Sequence, residues 1–408
     1  MNPTTVQTCR RCLYTTNHPL GLVLDDQGIC SGCRVHEEKD TLDWSERWER
    51  LEELVKPYRC SDSRNYDCIV PVSGAGDSFF IVHLIKERLG LNPLLVTYNR
   101  YYNTPIGIRN LAHLRRRFNC DILIQSVNPL SVKKIVLTTL RKLGSFHWPV
   151  LAGQSVFPVQ TAVSHKVPLI IWGAHQGLEQ VGMFSHKHEV EMTRRYRKDH
   201  DLMGYEADDL LEVFNDLREE DVWQYRYPHD SDIANIGVRG IYLGNYVRWD
   251  PFAQHLSMVE AHGYKGARFE RTFDVFDHVD DWHYCGMHDY IKYLKHGYSR
   301  VLDQACREIR HNRITRLSAI AMVNYYMSIY PTRSERRLTE WLNISSNSLN
   351  WILEQSIGNL AVMPNSSSLE ACNEAMSSFE ARHSMSNIFG SLESLGKNSV
   401  TIGKGFPD

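Results

Sequence analysis

Residues 67–78 of this chain read DCIVPVSGAGDS, a β-branched run that ends in a loop of small residues. An amphipathic segment, 79–89, follows directly, so the sequence predicts a strand, a tight turn and a helix N-terminus. Backbone N–H groups freed by Gly74 and Gly76, joined by the hydroxyls of Ser73 and Ser78, would converge on one anion at the positive end of the helix. Only residues without bulky side chains let a phosphate come so close to the backbone. The segment therefore predicts a nucleotide site.

Three kinds of phosphate loop compete for these residues. A Walker A loop requires a lysine that is absent here. A dinucleotide fingerprint requires a third glycine, where Phe79 stands, and an acidic residue about 20 positions later, where the chain reads Thr97, Tyr98 and Asn99. The pattern S-G-G-x-D-S of the loops that bind the pyrophosphate of ATP fits all fixed positions but one. The matching residues are Ser73, Gly74, Ala75, Gly76, Asp77 and Ser78, with Ala75 in place of a glycine. An ordinary strand-to-helix turn is the alternative.

A second strong pattern lies near the N-terminus. Cys9 and Cys12 form one C-x-x-C pair, Cys30 and Cys33 form another, and 17 residues separate the two pairs. This spacing is typical of a structural zinc ribbon, in which four thiolates close a tetrahedral site. Residues 20–28 between the pairs predict a hairpin with its turn at 26–28. We expect zinc to supply folding energy that so short a segment lacks, and a helix over 44–55 to connect it to the nucleotide strand.

The remaining apolar runs predict the fold class. Five of them, at 68–72, 93–97, 121–125, 168–172 and 241–243, alternate in part with helix candidates at 79–89, 104–118, 131–143 and 154–165. Near-continuous apolar strands that alternate with helices favour a doubly wound parallel α/β sheet. Ligands of such sheets bind beyond the carboxyl ends of the strands. We therefore expect residues 73–78, 97–98, 125–126 and 173–176 to meet at one crevice.

The predicted organisation is a zinc ribbon (1–40), a linking helix (41–65), an ATPase domain with substrate-binding insertions (66–285), a helical region (286–360) and a loosely ordered tail (361–408). The insertion at 178–285 is irregular, and Arg194, Arg195 and Arg197 are candidates there for an anionic substrate group, or else a solvated helix face. A formal net charge of −2 argues against binding to long duplexes such as DNA. No run of apolar residues is long enough for a membrane span, and no secretory signal is visible, so we expect a cytoplasmic protein with reduced cysteines.

These motifs together resemble the N-acetyl sugar amidotransferases of bacterial surface-polysaccharide biosynthesis. The resemblance covers about residues 5–360. It depends on the cysteine quartet, on the 71–78 loop and on four further segments: 157–173, 242–250, 288–300 and 308–310. Two departures are Gly76, where a lysine is common in the family, and Ala174-His175, where an acidic residue is expected.

The resemblance implies an adenine nucleotide α-hydrolase-like fold, the cofactors ATP, Mg²⁺ and structural Zn²⁺, and a UDP-linked acetamido sugar as acceptor. In the implied reaction the acetamido oxygen attacks the α-phosphorus of ATP and releases pyrophosphate. Ammonia then displaces AMP, which leaves an acetamidino group. The implied site comprises Ser73, Gly74, Ala75, Gly76, Asp77 and Ser78 for pyrophosphate, Tyr98 and Gly173 at the nucleotide, and Lys295 and Arg300 for phosphate or sugar-acid contacts. The last two are equally well explained as the solvent face of a helix.

The chain has no recognisable glutaminase nucleophile, so the resemblance also implies a glutaminase/cyclase-like partner that supplies ammonia. A tRNA thiolase is the main alternative, since those enzymes combine zinc knuckles with the same loop. It would call for a basic docking surface and catalytic cysteines, whereas Cys285 and Cys306 are isolated and predicted to be core residues. A non-catalytic zinc-ribbon interaction module is the second alternative.

Overall fold

The structure is a computed structural model that describes residues 6–61, 64–355, 369–383 and 388–389, without the side chains of 283 and 284. Its centre is a parallel sheet of five strands: β1 (Cys68–Pro71), β2 (Pro93–Tyr98), β3 (Ile122–Gln125), β4 (Leu169–Trp172) and β5 (Arg239–Tyr242). The strand order is β3-β2-β1-β4-β5, with every pair parallel. The predicted doubly wound α/β sheet is confirmed. The order reverses between β1 and β4, which places the ligand crevice beside the end of β1.

The N-terminal region is a pair of cysteine turns followed by two helices, α1 (Ser31–Glu38) and α2 (Trp44–Val55). An antiparallel bridge joins Leu24 to Cys30, and the backbone N–H of Gly28 donates to the carbonyl of Asp25. The predicted hairpin between the cysteine pairs therefore forms. The side chain of Asp43 caps α2 by accepting from the N–H groups of Ser45 and Glu46.

Four helices accompany the first strands: α3 (Gly76–His83), α4 (Pro105–Phe118), α5 (Pro129–Leu143) and α6 (Trp148–His165). After α3 the chain continues as one π-helical segment, Leu84–Arg88. Strand side chains alternate between two apolar layers. Val70 and Ile171 pack with Phe79 of α3, whereas Ile69 and Ile170 pack with Val159 of α6. Helices therefore cover both faces of the sheet, and α3 lies directly under the crevice.

Residues 176–236 contain only short helices: α7 (Gln176–Glu179), α8 (Arg194–Tyr196), α9 (Ala207–Val213), α10 (Glu219–Val222) and α11 (Asp230–Ile236). The chain then forms β5 and α12 (Pro251–His262). Within the described residues, every helix is too short or too polar to span a lipid bilayer. The first part of the insertion predicted at 178–285 is therefore a series of short helices and turns, and its second part contains β5 and α12.

Seven helices complete the described chain: α13 (Trp282–Cys285), α14 (Met287–His296), α15 (Arg300–Arg310), α16 (Arg316–Ser328), α17 (Thr332–Leu342), α18 (Ser346–Glu354) and α19 (Leu369–Arg382). The prediction of a loosely ordered tail over 361–408 is wrong for α19. This helix packs against α16 and buries Cys372 and Phe379. The prediction followed the composition of 361–408 as a whole, which is rich in Ser, Asn and Gly. The rest of the predicted tail, apart from 383 and 388–389, lies outside the described residues.

Candidate active site

The 73–78 loop connects β1 to α3 and leaves the N-terminus of α3 without a side-chain cap. Within the loop, the backbone N–H of Ser73 donates to the hydroxyl oxygen of Ser78 over 3.0 Å, and the N–H of Ala75 lies 3.3 Å from the hydroxyl oxygen of Ser73. The first N–H groups of a helix have no partner inside the helix. Here they face a crevice at the positive end of the helix dipole, which is an anion-binding arrangement.

The two glycines of the loop are required by its geometry, and the alanine is tolerated. Gly74 has φ +92°, and a Cβ there would lie 2.6 Å from the carbonyl oxygen of Gly107. A Cβ on Gly76 would lie 2.5 Å from the ring of His255. Ala75 has φ −77° and ψ 167°, an extended conformation that any residue adopts. The departure from the family pattern at Ala75 therefore causes no backbone strain.

Asp77 projects from the first turn of α3 into the crevice. Its Oδ1 atom is 2.8 Å from Nε2 of His255, a buried residue on α12, and its side chain is 48% exposed. This pairing fixes one carboxylate oxygen and leaves the other available. Oxygen ligands of this type suit Mg²⁺, which keeps several waters and binds through one or two carboxylates together with substrate phosphates.

A cavity of about 410 Å³ opens from the loop along the carboxyl ends of the strands. Its walls include Ser73, Asp77 and Ser78 of the loop, Thr97 and Tyr98 at the end of β2, Trp172 and Gly173 at the end of β4, and Tyr242 at the end of β5. Most of the predicted crevice therefore meets at one place. We name this space the strand-end cavity.

Tyr98 and Gly173 border the strand-end cavity as predicted, and both are closely packed. The Tyr98 hydroxyl is 2.6 Å from the hydroxyl of Tyr225, and burial raises the pKa of Tyr98. A Cβ on Gly173 would meet Ile81 at 2.9 Å, so the close approach of β4 to α3 needs glycine.

Residues 125–126 were also expected in the crevice, and this prediction is wrong. Gln125 lies 3.4 Å from both Gln160 and the carbonyl of Gln224, and Ser126 accepts a hydrogen bond from Asn99. Neither lines the strand-end cavity. The reason is strand order, because β3 is the edge strand and lies two strands away from the switch point.

A second cavity, of about 290 Å³, lies on the other side of the loop, and we name it the acidic cavity. Its walls contain the carboxylates of Asp77, Glu179, Asp277, Asp280 and Asp303. The two cavities share six lining residues, namely Ser73, Asp77, Arg100, Ala174, Gln176 and His278. The 73–78 loop therefore stands where two spaces join, as is needed when a bound nucleotide must meet a second substrate.

Arg300 lies in the wall of the acidic cavity and is held by Asp277. One guanidinium nitrogen lies 2.8 and 2.7 Å from the two carboxylate oxygens. Burial opposes ionisation of Asp277, but the nearby Arg300, His278 and Arg307 outweigh it and hold the pKa of Asp277 well below its usual range. Asp277 is therefore a permanent carboxylate that orients Arg300.

The pKa of Asp280, which lies next to the loop, is shifted in the opposite direction from that of Asp277. Asp280 is buried, and Arg100 forms an ion pair with it over 2.6 Å. Burial raises the pKa of Asp280 even though Arg100 favours the charged form. Its neighbour His278 has φ +53°, an uncommon value for a residue with a side chain. Strained backbone of this kind is concentrated at functional sites.

Lys295 is not brought to the site. Its ammonium donates to the carbonyl oxygen of Leu143 over 2.9 Å, it lines neither cavity, and burial lowers its pKa. The structure therefore gives no support to its predicted contact with phosphate or a sugar acid. The reason is helix geometry: Lys295 lies on α14 and reaches the end of α5, whereas Arg300 begins the next helix, α15.

The three candidate arginines of the insertion also differ in whether they reach the site. Arg197 lines the strand-end cavity, 4.5 Å above the ring of Trp172 and 3.0 Å from the Tyr242 hydroxyl. Arg194 forms ion pairs with Glu206 and Asp230, and the side chain of Arg195 is 93% exposed. Of the three, only Arg197 lines the cavity, where it also forms an ion pair with Asp201 over 2.5 Å.

Several site residues were not found from the sequence, chiefly Arg100, His255, Asp277, His278 and Asp280. Four of them are far from the loop in sequence, and no sequence pattern indicated Arg100, although it lies close to Tyr98. The one available signal was the acidic run at 274–281, which contains four aspartates. Ala174 does lie at the junction of the cavities, where the family pattern predicts an acidic residue, and carboxylates from 277–280 stand in the adjoining acidic cavity instead.

The four cysteines of the N-terminal pattern form the predicted cluster. All four are fully buried, and their Sγ atoms lie within 4.8 Å of one another. Sγ of Cys9 also accepts from the N–H groups of Arg11 and Cys30, over 3.4 and 3.3 Å. Buried thiols that converge in this way, with backbone N–H groups aimed at sulfur, fit a tetrahedral zinc ion.

The cysteine cluster is docked on α15. The Tyr14 hydroxyl donates to Asp303 over 2.7 Å, and the N–H of Leu13 donates to Sγ of Cys306 over 3.3 Å. Asp303 also lines the acidic cavity. Loss of the metal would therefore disturb a wall of the candidate site as well as the N-terminal region.

Residues 269–378 match a family model described as the C-terminal domain of WbpG-like LPS biosynthesis proteins. The match covers 110 of the 408 residues and confirms the resemblance to proteins of surface-polysaccharide biosynthesis for this segment. Arg300 and the carboxylates of Asp277, Asp280 and Asp303 all belong to it. The matched segment therefore supplies much of the wall of the acidic cavity.

Other relatives share shorter or more distant similarity. The chain is 24% identical over 119 residues to the uncharacterized protein MJ1599 of Methanocaldococcus jannaschii, which covers 28% of this chain and 41% of that protein. It therefore spans about two-fifths of the length of this curated relative. Two solved structures, each 14% identical with a TM-score of 0.28, are an NH3-dependent NAD synthetase from Campylobacter jejuni and an NMN synthetase from Francisella tularensis. They align with 48% and 56% of this chain and with 92% and 98% of their own chains.

Proposed function

We propose that this protein is an ATP-dependent amidotransferase that converts an acetamido group of a nucleotide-linked sugar into an acetamidino group during synthesis of a lipopolysaccharide such as O-antigen. The observation that carries the proposal is the junction of two cavities at the 73–78 loop. One cavity runs along the strand ends, where nucleotides bind in such sheets. The other has much of its wall from the segment that matches LPS biosynthesis proteins.

In this proposal the loop binds the pyrophosphate portion of ATP. The uncapped N-terminus of α3 and the hydroxyls of Ser73 and Ser78 stabilise the charge that develops on the departing pyrophosphate. Mg²⁺ neutralises part of the phosphate charge, and Asp77 is the residue placed to hold it. Arg197 and Trp172 would flank the rest of the nucleotide.

The acceptor enters from the acidic cavity, so that its acetamido oxygen faces the α-phosphorus. A new O–P bond forms as the bond between the α-phosphorus and the bridging oxygen breaks, and pyrophosphate leaves with the electron pair. Ammonia then forms a C–N bond, AMP leaves, and the protons of nitrogen pass to solvent or a nearby carboxylate. In this proposal Arg300, whose orientation is fixed by Asp277, contacts an anionic group of the sugar.

The reaction needs little acid–base chemistry from the protein. It needs alignment of two substrates, which contributes several kcal/mol in well-oriented reactions. The described cysteines support this reading over thiolation. Burial raises the pKa of Cys285 well above its usual range, and Cys306 is fully buried as a hydrogen-bond acceptor for Leu13. Cys285 therefore lacks the thiolate character that sulfur transfer requires, and Cys306 is enclosed by the packing of the N-terminal region.

The test is an incubation of the purified chain with ATP, Mg²⁺, ammonium chloride and a UDP-diacetamido sugar. We expect AMP and pyrophosphate to form only with the sugar, whose mass falls by about one unit as oxygen is replaced by NH. Ammonium stands in for the proposed glutaminase partner. The matched control is Glu53→Gln, an exposed glutamate of α2 that is far from both cavities.

Three results would contradict the proposal. AMP formation that depends on tRNA rather than on any acetamido sugar would favour base thiolation. Full sugar turnover by Asp77→Asn would show that the carboxylate of the loop is not needed for the reaction. No ATP cleavage with any acceptor would favour a zinc-ribbon interaction module.

A further inference from the structure

A second group of metal-ligating side chains lies at the end of α3 that is opposite the 73–78 loop. It consists of His83 at the end of α3, Glu87 one turn later in the π-helical segment, and His262 at the end of α12. Among the described residues, this group and the cysteine quartet are the two whose ligand atoms lie within 4.8 Å of one another. We propose that His83, Glu87 and His262 bind one zinc-class divalent ion that clamps α3 to α12.

The distances between the three ligand atoms fit such an ion. Nδ1 of His83 is 3.0 Å from Oε2 of Glu87 and 3.0 Å from Nε2 of His262, and the last two atoms are 3.7 Å apart. Ligands at the usual ~2.0–2.2 Å from zinc with near-tetrahedral angles lie roughly 3.3–3.6 Å from one another. An ion would therefore fit among the three atoms after movements of a few tenths of an ångström.

Hydrogen bonding alone accounts for this arrangement less well. Nδ1 of a neutral imidazole carries either one lone pair or one hydrogen. Nδ1 of His83 nevertheless faces both a carboxylate oxygen and an imidazole nitrogen at 3.0 Å. A cation at the common centre satisfies all three atoms together.

Neighbouring groups hold the ligands in place. Arg117 contacts Oε1 of Glu87 over 3.3 Å, which leaves Oε2 for the cluster. The ring of Phe118 packs 4.8 Å from the ring of His262, and His113 contacts the backbone carbonyl of His262. The contact from Arg117 is of the kind that orients a carboxylate ligand, whereas Nδ1 of His262 is buried without a hydrogen-bond partner among the described residues. The partly exposed Glu87 leaves room for water as a fourth ligand.

The position of the group gives the ion a mechanical role. His255 and His262 are two turns apart on α12 and therefore lie on one face. His255 contacts Asp77 at the start of α3, and His262 contacts His83 at its end. The ion would complete a second tie between the same two helices, at the end opposite the 73–78 loop.

Two imidazoles and one carboxylate select zinc-class ions over magnesium. Nitrogen ligands favour Zn²⁺, whereas Mg²⁺ takes oxygen ligands and water. We therefore expect Zn²⁺ to bind in the presence of a large excess of Mg²⁺. None of these expectations depends on the proposed reaction, so either proposal can fail alone.

The experiment counts zinc in the full chain after dialysis against zinc and then against buffer with Mg²⁺. The wild type should hold one zinc ion more per chain than His83→Ala and Glu87→Gln, and zinc affinity at this site should fall at least about a hundredfold, since changes to outer ligands alone cost 10–100-fold. Added zinc should raise the melting temperature of the wild type more than that of either variant, in which only the cysteine site is left to bind it. His165→Ala, an exposed histidine on α6, should behave as the wild type.

Glu87→Gln protects the test against misfolding, because the residue is partly exposed and keeps its shape. Equal zinc content in the wild type and both variants would overturn the proposal. An equal zinc-dependent rise in the melting temperature of the wild type, Glu87→Gln and His83→Ala would overturn it as well. The cysteine site is intact in all three proteins and serves as an internal count.

Discussion

Gly74→Ala tests whether the shape of the 73–78 loop is required for the chemistry. An alanine at φ +92° costs about 1–2 kcal/mol, because its Cβ crowds the backbone in this region. The new Cβ would also stand 2.6 Å from the carbonyl oxygen of Gly107, which belongs to the first turn of α4. Relief of such overpacking costs typically ~1–3 kcal/mol. The free energy of unfolding should therefore fall by about 2–5 kcal/mol.

The effect on turnover should be larger than the effect on folding. The clash is with backbone, so the loop itself must move, and a displacement of about 1 Å costs roughly a hundredfold in rate for aligned reactants. Urea unfolding measures the first quantity, and AMP release with a UDP-acetamido sugar measures the second under conditions where the variant is folded.

Gly237→Ala is the matched control for backbone strain. Gly237 has φ +70°, ends α11, and has nothing within 4 Å of an added Cβ. It should lose about 1 kcal/mol and keep its turnover. If Gly74→Ala loses no more stability than this control and keeps full AMP release, the reasoning about the loop is refuted.

Four further predictions follow from the same contacts. Ala75→Gly should change the free energy of unfolding by no more than about 1 kcal/mol and leave turnover intact, because Ala75 has negative φ; urea unfolding and AMP release check this, and a large loss would contradict it. Arg300→Lys should raise KM for the sugar with little change in KM for ATP, since lysine cannot form the fork with Asp277; an effect confined to ATP would contradict it. Cys30→Ser should release the N-terminal zinc ion and lower the melting temperature, measured by metal analysis and calorimetry, whereas full zinc retention would exclude the cluster as its site. Burial, helped by Arg197 and His200, lowers the pKa of His175 to about 4, so the fold is stable with neutral His175 above pH 6.5 and loses stability as the pH falls toward 4. In His175→Asn the loss of unfolding free energy from pH 7 to pH 5, measured by urea unfolding at both pH values, should be about 2 kcal/mol smaller than in the wild type. An unchanged loss would contradict the assignment.

Local patterns in the sequence were enough to predict the sheet and the loop. Each of the five apolar runs became a strand, and the small residues at 73–78 became the turn into α3. These features were predictable because a buried parallel strand and a phosphate loop are each formed by consecutive residues. The cysteine quartet was predictable for the same reason, because its spacing carries the geometry of the site.

The acidic cavity could not be predicted in this way. Asp277 and Arg300 come together only when α15 packs beside the loop, and His255 reaches Asp77 from α12. The sequence did not distinguish the roles of Lys295 and Arg300. In the structure Arg300 lines the acidic cavity, whereas Lys295 donates to the end of α5. Which face of a helix meets a neighbour depends on packing, and packing is not local.

The sequence by itself was thus enough to predict the kind of ligand that we propose for the loop. A phosphate needs backbone N–H groups and small side chains, which the order of residues at 73–78 provides directly. Only the tertiary structure decided what stands opposite that ligand. The strand order put β3 at the edge and β4 beside the loop, and it left Arg300, rather than Lys295, at the junction of the cavities. The physical reason is that the walls of such a junction are formed by segments that are distant along the chain. Burial of apolar surface brings these segments together during folding, and a local sequence pattern does not show that contact.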